Sequence, residues 1–136
     1  MHTYKVKNFT TQSKLQNYSD LIVELSVLLE KITKTLDDAK AHDLINIDLN
    51  HQSSIADNML ICTGTSNRHV SAIAQRLVDN LYKDGLKQIR VSGEQLGEWV
   101  IVDTGTVMVH IMQQEVRERY ELDDLYKCMA AGTDAA

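Results

Sequence analysis

A chain of 136 residues, 43% apolar and 24% charged, fits one globular domain with a single core. Its net charge of −5 argues against a protein built to grip phosphate backbones, which takes clustered Lys and Arg, and no apolar run approaches the roughly 18 residues of a membrane span. Met1 to Asp20 lack the apolar stretch of a signal peptide, and Cys62 and Cys128 stand far apart without ligand-spaced neighbours, so the expectation is a cytoplasmic protein with reduced thiols.

Met1 to Tyr18 is polar, with Lys5, Lys7 and Lys14 among Asn and Thr, and reads as an extension. From Asp20 the pattern changes: Leu21, Leu25, Leu28, Leu29, Ile32 and Leu36 recur at helical spacing, with Ser19 or Asp20 placed to cap the first turn. Asp43 to Leu49 alternates, Ile45, Ile47 and Leu49 against Asn46, Asp48 and Asn50, which predicts a half-buried strand. A polar loop through Ser53 and Ser54 leads to Asn58 to Thr63, whose uninterrupted Met59, Leu60, Ile61 and Cys62 suit a central strand covered on both faces. Gly64, Thr65 and Ser66 then turn into a helix with Val70, Ile73, Ala74, Leu77, Val78, Leu81 and Tyr82 on one stripe, ending at Gly85. A strand is expected near Gln88 to Ser92, followed by a loop from Gly93 to Gly97. Trp99 to Asp103 and Thr106 to Met112 flank Thr104-Gly105 as a two-residue hairpin turn. The chain returns to helix with Val116 and Tyr120 on one face and Leu125 and Tyr126 following. The layout is a polar extension over 1–18, an α/β domain over 19–128 and a flexible tail over 129–136, with a mixed sheet of about five strands flanked by helices.

With the turn at Thr104-Gly105, Val102 lies opposite Val107, Ile101 opposite Met108 and Trp99 opposite His110. Alternation puts Val100, Val102, Val107, Val109 and Ile111 on a β-branched core face. The opposite face carries Trp99, Ile101, Met108, His110 and Met112, with Asp103 at its end and Glu94 and Glu98 close by. An aromatic anchor among aliphatic side chains, rimmed by carboxylates, has the make-up of a protein interface that seeks a basic partner with an apolar centre. A helix of the same chain covering this face is the competing reading; few helices are left to do so.

Other candidate sites carry less. Thr63-Gly64-Thr65-Ser66 at a helix start is neither a Walker loop nor a GxGxxG fingerprint, and capping by Thr65 or Ser66 accounts for it. A turn of this kind also occurs in nucleotidyltransferases, but the Asp-x-Asp or Asp-x-Glu pair that would hold a hard cation is missing from the neighbouring strands. His42, His51, His69 and His110 show no zinc spacing. Arg68 and His69 suit solvent contact or a bond to the preceding loop, and Asp57 a turn anchor. Glu115, Glu118, Glu121, Asp123 and Asp124, with Arg117, Arg119 and Lys127 between them, read as a solvated face that matters only if it adjoins Trp99. No catalytic group, metal site or cofactor site is therefore expected.

Ser53 and Ile55 through Asp57, Ile61-Cys62-Thr63-Gly64-Thr65-Ser66 and Arg68-His69-Val70 resemble the signature of the Iojap, or ribosomal silencing factor (RsfS), family. Gly93-Glu94, Glu98 to Asp103, Val109-His110-Ile111-Met112 and Arg119-Tyr120-Glu121-Leu122 fit as well, in order and spacing, over about Leu25 to Tyr126. The resemblance implies a nucleotidyltransferase-like fold without catalytic residues. It implies binding to the large ribosomal subunit through the basic ribosomal protein conventionally numbered fourteen, a block on joining of the small subunit, and repression of translation when nutrients run short, as in stationary phase. It also implies homodimers off the ribosome and a contact surface that includes Trp99, and it leaves room for an rRNA contact. The partner-binding set expected is Trp99, Ile101, Met108 and His110, with Glu94, Glu98 and Asp103 pairing with Lys or Arg of the partner. The rival readings are a nucleotide-binding relative of nucleotidyltransferases and a direct RNA-binding module.

Overall fold

The computed structural model describes residues 14–49 and 56–130. In chain order these form α1 (Lys14–Asp38), β1 (His42–Asp48), β2 (Asn58–Thr63), α2 (Asn67–Lys83), β3 (Arg90–Ser92), β4 (Trp99–Asp103), β5 (Val107–Met112), α3 (Gln114–Tyr120) and α4 (Leu122–Ala130). The five strands make one mixed sheet in the order β1-β2-β5-β4-β3. Only β2 and β5 run parallel; β1–β2, β5–β4 and β4–β3 are antiparallel. This is the single α/β domain with helices flanking a mixed sheet that the sequence predicts.

All residues of β2 are buried, as its unbroken apolar run requires, and its period of two sorts them to opposite faces. Leu60 and Cys62 join Val100, Val102, Val109 and Ile111 under α1 and α2, which contribute Leu28, Ile32, Leu36, Ile73, Leu77 and Leu81. Met59 and Ile61 face the other way, with Ile47 and Leu49 from the β1 segment and Val116 and Leu122 from α3 and α4. Each large side chain removed from water on either face contributes about 1.5–3 kcal/mol. Helix α1 lies against α2 in the opposite sense: Lys31 pairs with Asp84, Asn80 Nδ2 donates to Thr35 Oγ1 at 3.2 Å, and Arg76 Nη1 reaches the Asp38 carbonyl at 3.4 Å.

Four boundaries differ from the sequence reading. Helix α1 begins at Lys14, so Ser19 and Asp20 lie inside it rather than at its cap, and Lys14 to Tyr18 belongs to a helix, not to the extension. Leu15 and Tyr18 continue the spacing of Leu21 and Leu25, a periodicity that the surrounding polar residues conceal. The rest of the extension, the loop with Ser53 and Ser54, and the tail from residue 131 lie outside the described residues. Strand β3 is only Arg90–Ser92, because Ile89 already turns into the core as a connector.

The hairpin register slips by two: Trp99 pairs with Met112, Ile101 with His110 and Asp103 with Met108. Thr104 N–H donates to the Val107 carbonyl at 2.9 Å, which makes Gly105-Thr106 the turn and puts glycine at its first position, with φ +98°. Asp103 Oδ1 accepts from Gly105 N–H at 2.8 Å, and Thr104 Oγ1 accepts from Val107 N–H at 3.1 Å, fixing the later turn. An even slip leaves every side chain on its expected face. Finally, the closing helix is two helices, broken at Glu121, which adopts a left-handed φ of +48°.

Candidate functional site

Helices α3 and α4 settle the competing readings of the Trp99 face by covering half of it. Met112 is fully buried beneath Val116 and Leu122, and α4 lies against β1. Further along the hairpin the face is less covered: Trp99, Ile101, Asp103 and Met108 are half-buried. Trp99 stands at the border, its ring 5.2 Å from that of Tyr120 at a 45° tilt. Tyr120 is itself 51% exposed, so the two rings form one amphipathic aromatic ledge. Sequence reasoning placed Tyr120 only on a helix face and missed its contact with Trp99, which depends on how α3 returns across the sheet.

His110, expected at the contact surface, is instead 2% exposed and lies beneath the ledge. Its Nδ1 accepts the Trp99 indole N–H at 3.0 Å, which orients the indole and requires Nδ1 to stay unprotonated. Burial works in the same direction, lowering the His110 pKa from 6.5 to about 4. In the unfolded chain the imidazole protonates near its ordinary value, so the folded state loses stability as pH falls from 6.5 toward 4 and loses no more below that. The expected loss is about 3 kcal/mol. Denaturant titrations of the wild type and His110→Gln across this window check it: the variant's stability should fall less steeply with acid, and parallel curves would contradict the assignment.

The elbow that presents Tyr120 is held by Arg117. This side chain was expected on a solvated face but is 7% exposed and turned inward. Its Nε and Nη2 donate to the two carboxylate oxygens of Asp123, each at 3.0 Å, spanning the left-handed Glu121, and Nη1 donates to Thr63 Oγ1 at 2.8 Å. One guanidinium thus ties α3, α4 and the end of β2 together in the bidentate geometry that arginine favours. It also lies close enough to Cys62 to oppose, in part, the burial that pushes that thiol up to about 12.

The acidic residues divide into two groups. Glu118, Glu121 and Asp124 are exposed on α3, at the elbow and on α4, and the Arg119 guanidinium lies over the Tyr120 ring, 5.9 Å from its centre. Glu94 and Glu98 are exposed on and just after the loop between β3 and β4, while Asp103 lies at the far end of β4 with an oxygen engaged by the turn.

At the start of α2, Ser66 Oγ accepts from His69 N–H at 3.0 Å. Thr65 N–H donates to His69 Nδ1 at 2.9 Å, and the other imidazole nitrogen lies 2.9 Å from the Ala39 carbonyl. The Thr65 N–H and the Ser66 hydroxyl are thus engaged in internal bonds, as capping requires. Among the described residues no three His, Cys, Asp or Glu side chains are grouped to hold a metal ion, and no helix is long and apolar enough to cross a membrane.

A family model described as ribosomal silencing factor during starvation matches residues 23–135. The ribosomal silencing factor RsfS of Haemophilus influenzae is 43% identical over 99 residues, covering 73% of this chain and 97% of that protein. A crystal structure of a Chromobacterium violaceum protein superposes with a TM-score of 0.71 at 32% identity, covering 82% of this chain and 88% of that one. The mouse protein named mitochondrial assembly of ribosomal large subunit protein 1 is 31% identical over 103 residues, which cover 72% of this chain and 44% of that protein.

Proposed function

The chain belongs to the ribosomal silencing factor family, ribosome-associated regulators of translation rather than enzymes, and from that premise we propose that it silences by docking its Trp99 ledge on the large ribosomal subunit. The partner is a basic ribosomal protein at the subunit interface, the one conventionally numbered fourteen, and an occupant there blocks the small subunit sterically. The name of the mouse relative, which refers to the ribosomal large subunit, supports that choice of subunit.

The observation that carries the reading is the ledge itself. A half-buried tryptophan leaning on an exposed tyrosine, oriented from below by a buried histidine, makes a rigid aromatic anchor, with the Arg119 guanidinium over the Tyr120 ring and exposed Glu118, Glu121 and Asp124 on the same pair of helices. Aromatic anchors at the centre and charge at the rim are how specific interfaces divide affinity from steering. The half-buried Ile101 and Met108 extend its apolar floor along the hairpin. Nothing comparable favours the nucleotide-binding alternative, whose turn has Thr65 and Ser66 bonded to His69.

Sedimentation of the protein with separated subunits tests the choice of partner. The expected result is recovery with large subunits and not with small ones, weakening as salt rises because the chain carries a net charge of −5 and the partner is basic. Equal recovery with both subunits would overturn it.

A further inference from the structure

Leu96 is 72% exposed, more than any other large hydrophobic side chain among the described residues. A single exposed leucine on a mobile loop needs no explanation. This loop, however, is built. Gly97 N–H donates to the Gly93 carbonyl at 3.2 Å, closing the segment on itself. Gly93 takes a φ of +83° with its backbone pressed on that of Trp99: a Cβ there would stand 2.2 Å from the Trp99 carbonyl oxygen. Gly97, buried and at φ +71°, is pressed against the first turn of α2, where a Cβ would meet the Asn67 carbonyl at 2.9 Å and Ser71 Oγ at 3.0 Å. Two left-handed glycines, each in backbone contact with a neighbouring element, therefore hold the residue immediately before Gly97 out in solvent. Glu94 and Glu98, both exposed, flank it.

We propose that Leu96 is a second anchor of the docking surface, a preformed apolar knob between two carboxylates that enters an apolar recess bordered by Lys or Arg on the same basic ribosomal partner. The inference rests on the docking reading above. It reassigns Glu94 and Glu98 from the rim of Trp99 to the rim of this knob. The loop is continuous with the strand that carries the ledge, since Gly93 packs on the backbone of Trp99 itself, so the knob and the anchor stand close together along the chain. The occupant follows from the chemistry: a lone aliphatic tip ringed by acid suits a basic protein, whereas an RNA backbone would be repelled by Glu94 and Glu98. Because the loop is already ordered, little conformational entropy remains to be lost on binding, and the knob's contact goes into affinity.

The test is a binding titration of Leu96→Gln, in the full chain, against purified large subunits, with the wild type and Trp99→Ala beside it. The expected result is a loss of affinity of about fivefold or more for Leu96→Gln, with a nearly unchanged thermal midpoint because the side chain is largely in solvent. Wild-type affinity in Leu96→Gln, with Trp99→Ala impaired, overturns the knob and leaves the ledge standing. No binding by the wild type itself overturns both.

Discussion

Trp99→Ala is expected to weaken binding to large ribosomal subunits by more than tenfold, the cost of truncating a central aromatic anchor, about 2 kcal/mol or more. The substitution acts twice. It removes the contact surface, and it takes away the ring against which Tyr120 leans and the N–H that His110 accepts, so the ledge loses its shape as well as its area. Trp99→Phe separates the two effects. It keeps a ring for Tyr120 and for the partner but not the indole N–H, and should lie between wild type and alanine. Titration of labelled protein with large subunits reads the affinity, and a thermal melt of each variant shows that the fold has survived. An alanine variant that melts normally and binds like the wild type would remove Trp99 from the interface.

Asp123→Ala should be the most damaging single change to stability at the elbow, costing about 3 kcal/mol or more. The reason lies in an asymmetry of burial. The Arg117 side chain is 8% exposed, and that of Asp123 is 33% exposed. Removing the carboxylate strands a guanidinium in a nearly dry site, held there by its bond to Thr63. Removing the guanidinium, as in Arg117→Met, leaves a carboxylate that water already reaches and replaces the stem with an apolar one of similar length. The arginine variant should therefore be the milder of the two, although both lose the tie between α3 and α4. For a domain of this size the aspartate variant should melt roughly 10 °C lower. Equal melting temperatures for both variants and the wild type would show that the pair contributes specificity of geometry and no net stability. Since Tyr120 lies between the two residues, the milder Arg117→Met should still weaken subunit binding.

Much of this was legible in the sequence, and the divisions have physical causes. Strand β2, helix α2 and strand β4 follow directly from apolar period and run length, and their limits are those expected to within a residue or two. The faces of the hairpin were also legible, because a register error of two residues preserves them; the turn position was not, since it depends on Asp103 and Thr104 bonding the turn with their side chains. The break at Glu121 has no glycine or proline to announce it. It is held by an ion pair six residues apart, which no local pattern encodes. That break decided the two largest differences at the site, the entry of Tyr120 and the burial of Arg117. The place of His110 beneath Trp99 likewise depends on a side-chain bond across the hairpin, in which it accepts the indole N–H, that alternation alone does not encode. Glu94 and Glu98 were recognised as exposed acid near Trp99, but the two glycines that aim their loop could be read only as punctuation.

The resemblance to silencing factors carried the identification because separated blocks agreed in order, and the matched span of residues 23–135 is consistent with it. The mechanism proposed needs no chemistry, only occupancy. The most direct measurement is of joining itself: large and small subunits are mixed at a magnesium concentration that pairs them, with or without prior incubation of the large subunit with this protein, and the joined fraction is followed by light scattering. The account predicts that the wild type lowers the joined fraction in proportion to its binding and that Trp99→Ala does not. A joined fraction unchanged by wild-type protein that is demonstrably bound to the large subunit would contradict it.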